Sequence, residues 1–236
     1  MATKFATEAE ALGPVAGPTF LNHHNGIDPE LSSGAASMKR WMEGTLKAAD
    51  GINARRQMAD PLITRAANMR QIEVAVEKFN GTTTDGYKTA RANLNASIAE
   101  AETKLKNAVG IAPTGNAAEI RSAFRAMSAD DRRAAMREAF ATGDKEVLGA
   151  IIGFTKVMHG IDPAEVEPLL EKFKQTAAPL EYRNLSEHRR YAEWADKAEV
   201  FVMRFGTQAL KGTEGYAAQR AKMASIMASY GMELED

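Results

Sequence analysis

Four histidines, His23, His24, His159 and His188, are the side chains of this 236-residue chain best suited to metal or proton chemistry. Adjacent His23 and His24 could share a metal ion with a carboxylate such as Asp28, since imidazole and carboxylate are common ligands. No spacing supplies a third ligand, so the pair is read as polar residues of the N-terminal stretch. His159 precedes Gly160 near an expected helix end, where an imidazolium suits the negative pole of the dipole. His188 sits in Glu187-His188-Arg189-Arg190, read as a solvated first turn. No helix carries a Glu-x-x-His pair, the signature of a di-iron bundle. Gly-x-Ser-x-Gly, His-Glu-x-x-His and Gly-rich phosphate loops are also missing, and there is no cysteine to act as nucleophile or thiolate ligand. No catalytic, cofactor-binding or metal residue is therefore assigned. The expectation is a protein that is not an enzyme and has no small-molecule substrate.

The elements that would position any site are helical. Hydrophobic residues make up 44% of the chain and aromatic residues only 7%, and no alternating Val, Ile or Thr run has useful strand length. Thirty basic residues oppose thirty-one acidic ones, so no net field draws nucleic acid or anionic lipid. The basic clusters Lys39-Arg40-Trp41, Arg55-Arg56 and Arg189-Arg190-Tyr191 have aromatic neighbours, which suits single-stranded nucleic acid. Each is short and the total charge is neutral, so nucleic acid is disfavoured as a partner. No apolar run approaches the ~18 residues of a membrane span, and the N-terminus has no apolar core of signal-peptide length. Cysteine-free composition fits synthesis in a reducing cytoplasm.

Taken in order, residues 1–35 read as an extended arm, broken by Gly13-Pro14, Gly17-Pro18, Asn25-Gly26 and Asp28-Pro29. Its apolar residues Phe5, Val15, Phe20, Leu21, Ile27 and Leu31 have no helical period, which suits a strap lying on a neighbouring subunit. Residues 36–236 form the helical domain. Met38, Trp41, Met42, Leu46 and Ala49 mark the apolar face of a first helix, which Gly44 and Gly51 weaken. Trp41 is either ordinary core or an interface anchor. Asp60-Pro61 restarts the chain as N-cap and N1. Apolar positions then recur on both sides of Asn80-Gly-Thr-Thr-Thr-Asp85-Gly86, which predicts an antiparallel αα-hairpin over 61–109 with its turn at 80–86.

A compact helical segment follows over 117–161. Ser128 and Asp131 have capping spacing, Gly143 suits a left-handed C′ position, and Asp144 suits the next N-cap. Asp130-Asp131-Arg132-Arg133 reads as surface charge. C-terminal helices occupy 163–232: one after Asp162-Pro163, a long one from Glu187 to Leu210 capped by Ser186, and a last one over 214–230. The sum is an all-α fold of seven or eight helices with an N-terminal arm.

The stretch Glu119-Ile-Arg-Ser-Ala-Phe124-Arg-Ala-Met127-Ser128 through Met136, continuing over Ala141-Thr-Gly143-Asp144 to Ile151, resembles a segment of small helical proteins encoded among the virion genes of tailed bacteriophages and prophages. The resemblance covers roughly residues 117–155 and brings no catalytic residue with it. It implies a structural or assembly protein of the virion, made in the host cytoplasm and contacting other virion proteins and copies of itself. A scaffolding or internal ejection protein of the same particle is one alternative. A soluble bacterial helical adaptor or regulator that binds nucleic acid is the other.

Overall fold

The computed structural model describes residues 25–57, 62–209 and 225. Among them the chain is all-α and contains no strand. Its helices are α1 (Ser33–Gln57), α2 (Arg65–Val109), α3 (Ala117–Ala126), α4 (Ala129–Thr142), α5 (Lys145–Ile151), the single turn α6 (Lys156–His159), α7 (Pro163–Ala177) and α8 (Pro179–Ala209). Phe5, Val15, Phe20, Leu21, His23, His24 and the helix expected over 214–230 lie outside the described residues, Ser225 excepted. Contacts divide the chain into two compact units, Met1–Ser97 with Arg190–Asp236, and Ile98–Arg189; α2 and α8 contribute residues to both.

In the first unit α1 runs antiparallel to α2. The Gly34 N–H donates to Ser97 Oγ at 3.3 Å and Trp41 Nε1 donates to the Thr83 carbonyl at 2.9 Å. Near the far end, Arg55 donates to Gln71. An antiparallel αα-hairpin is therefore present, but its second helix begins at Arg65, where Thr64 Oγ1 accepts from the Ala67 N–H at 3.2 Å. The expected N-cap and N1 residues Asp60 and Pro61 lie outside the described residues. The turn expected at 80–86 is the interior of α2. Tertiary contacts override the local turn chemistry. Thr83 is buried and its hydroxyl donates to the Phe79 carbonyl one turn back. A Cβ on Gly86 would lie 2.9 Å from Trp41 Cδ1, so glycine lets the indole close on the helix.

The C-terminal half of α8 lies along α2 in the same unit. Phe205 meets Phe79 at 5.0 Å between ring centroids, while Asp196 accepts from the Tyr87 hydroxyl at 3.0 Å and pairs with Arg91 Nε at 3.2 Å. Residues 25–32 lead into α1 and are held by their own chain. Ile27 is 1% exposed, Lys39 Nζ donates to its carbonyl at 3.3 Å, and the Asp28 N–H donates to the Tyr191 hydroxyl at 3.0 Å. The strap expectation fails at Ile27, whose side chain is already buried in cis. Leu31 is half-buried.

The second unit is a set of short helices fixed by their caps. Ser128 Oγ accepts from the Asp131 N–H at 3.2 Å, and Asp144 Oδ1 accepts from Glu146 and Val147 at 3.1 Å. Between them Gly143 is left-handed at φ 70° and ends α4, a conformation that side chains with a Cβ resist. Asp162 caps α7 through the Ala164 N–H, with Pro163 opening the helix. Phe124, Met136, Phe140, Leu148, Ile151, Ile161 and Val166 form the core these helices enclose. The long C-terminal helix starts earlier than expected. α8 begins at Pro179, and Ser186 is interior, its hydroxyl donating back to Tyr182. That start lets Leu185 pack with Ala101, Leu105 and Val109 of α2.

Two charged or titratable groups read as solvated are not. Arg132 donates to the carbonyls of Phe124 (2.8 Å), Met127 (2.9 Å) and Gly160 (2.7 Å), closing the C-terminus of α3 and the turn after α6. His188 is 4% exposed, with Nδ1 donating to the Asn184 carbonyl at 2.7 Å.

Candidate interaction groove

The heptad-like stripe of α1 that carries Met38, Met42 and Ala49 is buried. The neighbouring face of α1, one step around the helix, is built from small residues: Gly44, Ala48 and Gly51 are exposed. The facing side of α2 repeats this with Ala75, Thr82 and Thr89. Two helices crossing with small side chains on one side leave a trough instead of a ridge. The result is an open groove of about 930 Å³ that belongs wholly to the first unit.

Its floor is apolar and firmly set. Trp41, Ile52 and Phe79 are each less than a tenth exposed. The indole is fixed by the Thr83 carbonyl and by Tyr87, whose ring centroid is 5.2 Å away. Burial pushes the Tyr87 phenol above its ordinary range, and the hydrogen bond to the Asp196 carboxylate adds to the effect. Thr45 also lines the floor. It is 1% exposed, and its Oγ1 has no hydrogen-bond partner among the described residues. An unmade bond on a buried hydroxyl costs about 1–3 kcal/mol.

The rim is charged unequally. Arg40, Arg55 and Lys78 border the groove, against Asp85. Lys88 Nζ lies 3.7 Å from Asp85 Oδ1 and offsets it. The local field is therefore positive on a chain whose formal net charge is −1.

Neither a protein-family model nor a curated protein or solved structure matches this chain.

Of the residues singled out from sequence, Trp41 belongs to this groove as both core and floor, and Arg40 and Arg55 of the basic clusters lie on its rim. The basic cluster at Arg189 and Arg190 is engaged inside the chain. Arg189 pairs with Glu102 at 3.0 Å, and the Arg190 guanidinium lies 4.7 Å from the Trp194 ring centroid. His159 is also committed within its own segment. Its Nδ1 accepts the Ile161 N–H at 3.1 Å, and Nε2 lies 3.0 Å from the Phe154 carbonyl. Among the described residues no group of three or more His, Cys, Asp or Glu side chains is placed to hold a metal ion, and no helix is long and apolar enough to cross a membrane.

Sequence reasoning missed Gly44, Ala48 and Gly51 as a surface, treating the glycines only as a cost to the helix. Their spacing was the available signal, because i, i+4, i+7 places all three on one face.

Proposed function

We propose that this chain is a structural or assembly protein of a tailed-bacteriophage virion, and that it acts by protein–protein contact instead of catalysis. The observation that carries the contact reading is the groove between α1 and α2. Its rigid aromatic floor, small-residue walls and charged rim have the composition of a surface that seats another helix. The virion setting is supported by the resemblance over residues 117–155, a segment that folds here as one capped, cored set of helices. Its partners are other virion proteins and further copies of itself.

A mass-spectrometric inventory of purified particles, with copy number, tests the setting. A structural protein is stoichiometric with other virion components. A scaffolding protein is present in precursor particles and depleted from mature ones, and a cellular adaptor is found in neither.

A further inference from the structure

We propose that the groove between α1 and α2 takes an amphipathic α-helix of a partner protein whose apolar stripe is flanked by carboxylates. This rests on the contact reading above and names the kind of partner. The shape comes first. Helices approach closely only where small side chains meet, and Gly44, Ala48 and Gly51 on one wall with Ala75 on the other permit that approach. A methyl group at Gly44 or Gly51 would meet nothing within 4 Å among the described residues, so the space above them is not used by the fold described.

The second observation is the floor, where Trp41, Ile52 and Phe79 are each less than a tenth exposed and present a set apolar surface to an incoming apolar stripe.

Charge then selects among occupants. Arg40, Arg55 and Lys78 favour acidic flanks. A second copy docking through this same face would set these cations against their own counterparts, which disfavours a symmetric dimer there. A basic helix, or the backbone-tracking surface of a cationic partner, is repelled for the same reason.

The experiment uses the full chain carrying Trp194→Phe, so that Trp41 in the groove is the fluorophore. Two helical peptides of twenty or so residues serve as probes. They share a Leu/Ala stripe at i, i+3, i+4 and i+7 spacing and differ only in carrying Glu or Lys on the flanks. The Glu peptide should shift Trp41 emission saturably and bind at least about tenfold more tightly than the Lys peptide. Reversing the rim with Arg55→Glu and Lys78→Glu should invert that order. Gly51→Leu, which fills the groove from an open position, should abolish the response while helical content is retained.

Equal binding of the two peptides, a preference for the Lys peptide, or no saturable response to either overturns the proposal. So does self-association of the chain that Gly51→Leu removes, which would make a second copy the occupant. A response seen only after residues 211–236 are deleted would assign the groove to the chain's own segment and overturn it equally. A failed titration with the chain still stoichiometric in particles removes the acidic helix and leaves the contact reading standing. Absence from particles removes the virion setting and leaves the titration result untouched.

Discussion

The Nη1 of Arg132 donates to the carbonyl of Gly160 at 2.7 Å, across the turn that follows α6. The same guanidinium holds Phe124 and Met127, so a single side chain closes two helix ends. Gly160 is left-handed at φ 76°, and a Cβ there would lie 2.5 Å from Arg132 Nη1. Arg132→Met should therefore cost about 2–4 kcal/mol, since it orphans several carbonyls at once. Gly160→Ala should be destabilising as well, through both backbone strain and the displaced guanidinium. Urea titration of each variant checks the pair. A loss below about 0.5 kcal/mol for Arg132→Met would mean the carbonyls are satisfied by solvent.

The junction between α4 and α5 makes a second prediction. Asp144→Ala removes two N-cap hydrogen bonds and should cost about 1 kcal/mol. Gly143→Val should cost more, because a β-branched residue at φ 70° is strained. Near-zero effects for both in a denaturant titration would contradict this geometry.

These caps are legible in sequence because each is local chemistry. Ser128 before Asp131, Gly143 before Asp144 and Asp162 before Pro163 act on neighbours one to three residues away, and the structure places all of them as expected. The turn expected at 80–86 fails for the complementary reason. Asn80, Gly81 and Gly86 have turn chemistry, but the helix there is held by residues distant in sequence, Trp41 above all. The periodicity carries a correcting signal. If Thr83 is counted as core, Ile72, Val76, Phe79, Thr83, Ala90, Leu94, Ser97, Ala101 and Leu105 keep helical phase without a break, and all are buried. Arg132 escapes notice because a cation that caps distant carbonyls looks, in sequence, like any exposed charge. The groove escapes because a site made of small residues is defined by space, which composition does not record.

The exposed glycines of α1 permit a third prediction. Gly44 and Gly51 lie inside a helix, and a methyl group added at either would find open space for 4 Å around it among the described residues. Gly44→Ala and Gly51→Ala should each stabilise the protein by about 1 kcal/mol, by removing backbone freedom from the unfolded chain. Differential scanning calorimetry should show a raised Tm. A lowered Tm would mean that the groove wall is closely packed.

Alkaline stability depends on Tyr87. Burial and the Asp196 carboxylate raise its folded-state pKa above the unfolded value of about 10. The contribution is therefore complete below about pH 10 and is lost as pH rises beyond it, because the unfolded chain releases the proton first. Tyr87→Phe should flatten the fall in stability above about pH 10. An unchanged alkaline slope would show that the phenol titrates normally in the folded state.

A chain that works by seating a partner helix between α1 and α2 within a particle must fail when that groove is filled. Gly51→Leu, which fills it from a position open among the described residues, tests this most directly. Particles assembled with the variant as the sole source of the chain should lack it, although circular dichroism of the purified variant shows full helical content. Incorporation of folded Gly51→Leu protein at the wild-type copy number would contradict the account.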